Sequence, residues 1–121
     1  MISKDYRLKE NEVKKVLKYG KPFFSYGLVL NYTKNNLKHN RFAIIISGKN
    51  VDSSVKRNFF RRRFYDMVNV EMGKGQNPQT YHDLVFVLKK QTKLEKNNLE
   101  SINGFDNDVK FLLKKMMNIK G

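Results

Sequence analysis

Arg57, Asn58, Arg61, Arg62 and Tyr65 fall in the stretch VKRNFFRRRFYDMV, residues 55–68, and their types suit polyanion binding better than bond-making chemistry. Guanidinium groups grip phosphate oxygens in pairs, an amide donates to phosphates or base edges, and a phenol ring offers a plane for a base. Helical spacing sorts the stretch into faces. Phe60, Phe64, Met67 and Val68 recur at +4, +7 and +8, which predicts one apolar face. Asn58, Arg61, Arg62 and Tyr65 recur at +3, +4 and +7 on another, with Arg57 at the border of the two.

A second basic cluster comes from further apart in the chain. Lys49 follows the apolar run RFAIII, and Lys89 and Lys90 end the run HDLVFVLKK. If these runs are parallel neighbouring strands joined through the helix between them, the three lysines emerge at one end of a sheet and make a cleft. Tyr32, late in an earlier strand, either adds a ring to the exposed sheet face or is buried.

Protein-borne catalysis has little support. His39 and His82 have no partner at ligand spacing and read as surface or capping residues. Asp106 and Asp108 form a D-x-D that reads as the cap of a helix start rather than as an Mg²⁺ site. GKNVDSS and GKG do not fit a phosphate-binding loop, and the absence of cysteine excludes disulfides and thiolate metal sites.

Composition agrees with a polyanion partner. The chain has 121 residues, reads as a single domain over 1–121, and carries a formal net charge of +14. Apolar residues make up 40%, with nine Phe and six Tyr, so a packed core is expected rather than a disordered basic tail. Residues 41–63 hold seven basic residues against one acidic, Asp52. A domain carrying that self-repulsion commonly serves a nucleic acid; a Lys- and Asn-rich proteome is the bland alternative. No apolar run approaches the length of a membrane span, and a cytoplasmic protein without a membrane partner is expected.

The elements that must position these groups follow from pattern. Residues 7–19 predict a short amphipathic helix on Val13, Val16 and Leu17, ended by Gly20 and Pro22. Residues 23–33 read as a strand, 33–40 as a polar hairpin connection, and 41–47 as a second strand buried on both faces. Asp52 or Ser53 is the candidate cap of the arginine-bearing helix. A loop at 73–80, a central strand at 82–90 and a last helix from about Asp106, with Val109, Leu112, Leu113, Met116 and Met117 on its buried stripe, complete the chain. The order α-β-β-α-β-α predicts an α+β domain with three helices packed on a small mixed sheet, of about four strands if residues 21–33 hide a further one.

Taken in order, RLKENEVKKVLKYGK, LVLNY, RFAIIISGK, VKRNFFRRRFYDMV, HDLVFVLKK and FLLKK resemble the protein component of bacterial ribonuclease P over nearly the whole chain. Arg57 and Asn58 match the family's Arg-Asn-Arg signature, and Arg61 and Arg62 match its later basic positions. Phe59 replaces the second signature Arg, Tyr65 stands where another Arg is usual, and Arg63 occupies a position normally apolar. The loop SGKNVDSS is one residue longer than the family's.

The resemblance implies a protein cofactor to a catalytic RNA that removes the 5′ leader of precursor tRNA with Mg²⁺. It implies that Arg57, Asn58, Arg61 and Arg62, with Tyr65, face ribonuclease P RNA. Tyr32, Ser47, Lys49, Lys89 and Lys90 would line a cleft for the single-stranded leader. It also implies a left-handed crossover between the parallel strands, against the common right-handed rule. The rival readings are a ribosomal or assembly-type RNA-binding protein of the same architecture and a DNA-binding regulator. Against the latter, residues 41–47 read as strand where a helix-turn-helix needs a helix. A protein-only nuclease would need a carboxylate cluster that the sequence does not suggest.

Overall fold

The run Leu84-Val85-Phe86-Val87-Leu88 has no polar alternation, so it must be covered on both faces, and the rest of the chain is arranged around it. The computed structural model describes residues 4–72 and 80–117. A 3-10 turn, Lys4–Tyr6, precedes α1 (Glu10–Tyr19), β1 (Lys21–Phe24), β2 (Leu28–Asn35), β3 (Arg41–Ile45), α2 (Ser54–Met72), β4 (Tyr81–Leu88) and α3 (Leu99–Met117). The four strands form one sheet in the order β1-β2-β4-β3. β4 runs antiparallel to β2 and parallel to β3, so α2 is the crossover of a β-α-β unit.

The two sheet faces carry separate cores. On one, Leu28, Leu30, Phe42, Ile44, Leu84 and Phe86 pack with Phe60, Phe64 and Val68 of α2 and Phe105, Val109 and Leu112 of α3. Ring pairs such as Phe64–Phe86, 4.8 Å between centroids, and Phe60–Phe105, 5.3 Å, tie both helices down. Each such pair adds about 0.5–1.5 kcal/mol beyond the area it buries. On the other face Val16 of α1 sits on Ala43 and Val85. β3 is thus buried on both faces as expected, although it is an edge strand. Its outer edge is blunted by the N-terminal segment, where Arg7 bridges to Phe42 and the Leu8 N–H donates to the Phe42 carbonyl at 2.9 Å.

Three expectations are corrected. Residues 23–33 are not one strand: a turn at Ser25–Gly27 splits them into β1 and β2, closed by Ser25 N–H to Leu28 O at 2.9 Å, and the order becomes α-β-β-β-α-β-α. The 33–40 segment is no hairpin, because β4, the most apolar strand, inserts between β2 and β3. Finally, α3 starts at Leu99, where the Asn98 side chain accepts from Ser101 N–H at 3.1 Å. Gly104 is passed without a break. It is exposed, and its helix cost of about 1 kcal/mol is outweighed by the stripe Ile102, Phe105 and Val109 packing into the core.

Asp106 and Asp108 are therefore mid-helix and cap nothing. The expected α2 cap stands: Ser53 Oγ accepts from Lys56 N–H at 3.1 Å. On α3, Val109, Leu112 and Leu113 are buried and Met116 packs against the core. The Met117 side chain and the expected loop at 73–80, Thr80 apart, lie outside the described residues.

Candidate nucleic-acid interface

α2 holds its arginines by fixing its apolar stripe. Phe60, Phe64 and Val68 are fully buried, so the register of the helix is set and the opposite side must face outward. There Asn58 and Arg62 are exposed, and Arg61 Nη1 donates to Asn58 Oδ1 at 2.8 Å, one helical turn away. Arg57 Nη1 donates to the Val51 carbonyl at 2.8 Å, which fastens the helix start to the loop after β3. Arg63, in the position expected to be apolar, makes a two-pronged contact with Asp106, Nε to Oδ1 at 2.7 Å and Nη2 to Oδ2 at 2.6 Å. It pins α2 to α3 and is spent on structure.

Tyr65 is not the outward stacking plane expected of it. It is 8% exposed and its ring meets Phe64 edge-on at 5.1 Å. Burial pushes its hydroxyl above the ordinary tyrosine range, against the opposing pull of Arg7 and Arg61. The N-terminal segment that pairs with β3 brings Arg7 within electrostatic reach of Tyr65.

The second cluster forms as the parallel-strand argument requires. β3 and β4 pair in parallel through Ile45↔Val87, so both strands exit at one end of the sheet and bring Ser47, Lys49, Lys89 and Lys90 together there. Ser47, Lys49 and Lys90 are exposed and Lys89 is half-buried. Asn50, buried, sews the exits into one surface. Its Nδ2 donates to the carbonyls of Lys89 at 2.9 Å and Thr92 at 2.8 Å, and its Oδ1 accepts from Ser47 N–H and Oγ. The turn between β1 and β2 joins the same surface, since the Gly27 carbonyl accepts from Lys89 N–H at 3.0 Å and Thr92 Oγ1 at 2.9 Å.

Below these exits lies a trough. Phe24, Val29, Val87 and Ile45 form one register row across all four strands, on the face that α1 covers further down at Ala43 and Val85. α1 leaves this row half-exposed: Phe24 is 61% accessible, with Lys89 Nζ 5.9 Å from its ring centroid. α1 itself is clamped at the opposite end. Arg41 donates through Nε and Nη2 to Asp83 at 2.8 and 2.7 Å and through Nη1 to Glu12, while Asn35 Nδ2 also reaches Asp83 at 2.9 Å.

Tyr32 is on the wrong face for this trough. It pairs with Leu84, stacks on Phe23 at 5.0 Å and meets His82 edge-on at 5.7 Å, all on the side packed with α2 and α3. The residue one place earlier, Asn31, paired with Val85, has the trough side. A one-residue change of parity exchanges the faces of a strand. His82, expected at the surface, is 7% exposed on the same inner side, and burial, with Lys34 nearby, lowers its pKa. Phe24 and Asn50 are the residues that sequence reasoning missed. The turn signal Ser25-Tyr26-Gly27 would have separated β1 and exposed the parity of Phe24; nothing in GKNVDS distinguishes Asn50 from an ordinary turn residue.

Among the described residues no group of three His, Cys, Asp or Glu could hold a metal ion, and no helix is long and apolar enough to cross a membrane. The exposed face of α2 and the lysine-rimmed row beside Phe24 both carry chemistry suited to a polyanion. Comparison with known proteins gives the same direction: a family model described as Ribonuclease P matches residues 2–116. The chain belongs to the ribonuclease P protein family. Family membership makes it a subunit of an endoribonuclease with an RNA partner.

Solved ribonuclease P proteins share the fold. The protein from Thermotoga maritima superposes with a TM-score of 0.69 at 20% identity, covering 95% of this chain and 98% of that one. That from Staphylococcus aureus gives 0.64 at 17% identity, covering 92% and 94%. No curated protein matches the sequence.

Proposed function

We propose that this ribonuclease P protein binds the catalytic RNA through Arg57, Asn58, Arg61 and Arg62 and takes the single-stranded 5′ leader of precursor tRNA in the trough beside α1. In this way it promotes Mg²⁺-dependent removal of the leader in the cytoplasm. The observation that carries the reading is the parallel β3–β4 pair, which delivers Ser47, Lys49, Lys89 and Lys90 to one end of the sheet next to the exposed ring of Phe24.

Each part has a role that its chemistry supports. The lysines neutralise leader phosphates. The row Phe24, Val29, Val87 and Ile45 offers an apolar floor and one aromatic plane, which suits bases in any sequence. Asn50 keeps the two lysine-bearing exits at fixed spacing, and the Arg41–Asp83–Glu12 clamp holds α1 as the trough's wall. Arg62 and Arg61 present forked donors to the phosphates of the larger RNA. Mg²⁺, supplied with the RNA, would polarise the scissile phosphate and its attacking water; the acidic side chains Glu12, Asp83 and Asp106 are occupied by Arg41 and Arg63.

The test is cleavage of a 5′-leader precursor tRNA by bacterial ribonuclease P RNA at limiting Mg²⁺, with and without the protein. Rescue that grows with leader length is expected. Tight RNA binding without rescue by a cognate RNA would sink the cofactor reading.

A further inference from the structure

A surface cleft lies on α2, away from the trough. It is a half-open cleft of about 410 Å³. One wall is the helix ridge Asn58, Arg62 and Asp66, spaced four residues apart; the floor is the ring of Phe59; the far wall is Lys96, from the segment between β4 and α3. Phe59 is half-buried, braced edge-on by Phe60 at 5.1 Å, and Lys96 Nζ stands 5.4 Å from its centroid.

We propose that this pocket takes a single unstacked nucleotide of the RNA that α2 faces, its base on Phe59 and its phosphate between Arg62 and Lys96. The inference rests on the reading of α2 as the RNA-facing helix. A flat aromatic ring flanked by two cations is the complement of a base and its phosphate. Asn58 has its Oδ1 engaged by Arg61, which leaves the amide NH₂ to donate to a base edge. When a base takes the ring face, Lys96 exchanges its cation–π contact for the phosphate, so its charge stays paired. Arg63 borders the cleft but is committed to Asp106, and it holds the floor rather than the ligand. Phe59 stands where the family resemblance implies the second signature arginine. A ring there replaces a phosphate contact with a stacking one.

The experiment is RNA affinity of the full chain at several salt concentrations, measured separately with ribonuclease P RNA and with leader-bearing precursor tRNA. The variants are Phe59→Leu, Phe59→Tyr and Lys96→Glu. Phe59→Leu is expected to weaken binding on the order of ten-fold with an unchanged salt slope, and Phe59→Tyr to restore it, because stacking releases no counterions. Lys96→Glu should weaken binding and flatten the slope. Whichever RNA shows the loss is the source of the nucleotide. Wild-type affinity in Phe59→Leu and Lys96→Glu would overturn the pocket while leaving the RNA-facing helix standing. So would a Phe59→Leu loss that Tyr does not restore and that accompanies a lower melting temperature. Failure of the unmodified protein to bind either RNA would overturn both.

Discussion

Asn50 spends its whole amide on holding the exits of β3 and β4 together: both Nδ2 hydrogens go to the carbonyls of Lys89 and Thr92, and Oδ1 accepts twice from Ser47. The residue is buried, 4% exposed. Asn50→Ala removes the shared partner of the Lys89 and Thr92 carbonyls and of Ser47, and is expected to lower stability by about 1–2 kcal/mol. It should also weaken leader affinity more than affinity for the catalytic RNA, since Lys49 and Lys89 lose their fixed spacing while α2 does not. Urea unfolding and the two binding titrations check this. Equal losses for both RNAs would mean that Asn50 supports the fold alone.

If roughly six phosphates are neutralised, log K should fall against log salt with a slope of about −4 to −5. Arg62, exposed on α2, and Lys34, exposed on β2 away from both surfaces, carry the comparison. Arg62→Ala should weaken binding to the catalytic RNA about ten-fold or more and lower the slope by about 1, and Lys34→Ala should do neither. A slope near zero, or equal small effects, would remove the electrostatic account.

Gly20 ends α1 for a reason that its sequence role as a helix breaker does not convey. Its φ of −75° is open to any residue. The constraint is space: a Cβ there would lie 2.4 Å from the Val16 carbonyl oxygen and 3.1 Å from that of Tyr32. Both neighbours are backbone, so neither can rotate away. Gly20→Ala is expected to cost about 1–3 kcal/mol by forcing α1 off β2. An unchanged urea midpoint would show that the α1–β1 junction can shift freely.

What the sequence made legible follows one physical rule. Periodicity located side chains wherever a single apolar stripe fixes the element's rotation. Phe60, Phe64 and Val68 do this for α2, and the outward faces of Asn58 and Arg62 follow from them. The same rule failed at Tyr65, because the buried face of α2 is wider than that stripe and takes in Tyr65 beside Phe64. It failed again at Tyr32, because a hidden turn left the strand parity uncounted. The parallel exits of β3 and β4 were readable from the intervening helix. Their stitching by Asn50 was not, since it joins residues 39 and 42 places apart. Arg63 and Asp106 were visible as charges, but only the packing of α2 on α3 makes them a pair.

His82 gives the fold an acid sensitivity whose sign can be worked out. Its ring is buried at the end of β4, edge-on to Tyr32, with Lys34 and Asp83 as the charged neighbours. Burial first, and Lys34 second, push its pKa below the ordinary histidine value, with Asp83 opposing. The folded chain therefore keeps His82 neutral where the unfolded chain has begun to take up a proton. Above about pH 6.5 both states are neutral and the residue adds no pH dependence. As pH falls below that value the unfolded state binds more protons, so stability declines until the folded-state pKa is passed. Urea midpoints at about pH 7.5 and about pH 5.5 should show a drop for the wild type. His82→Gln, which cannot titrate, should show a smaller one. If the two proteins lose stability equally, the buried histidine is not the source of the acid sensitivity.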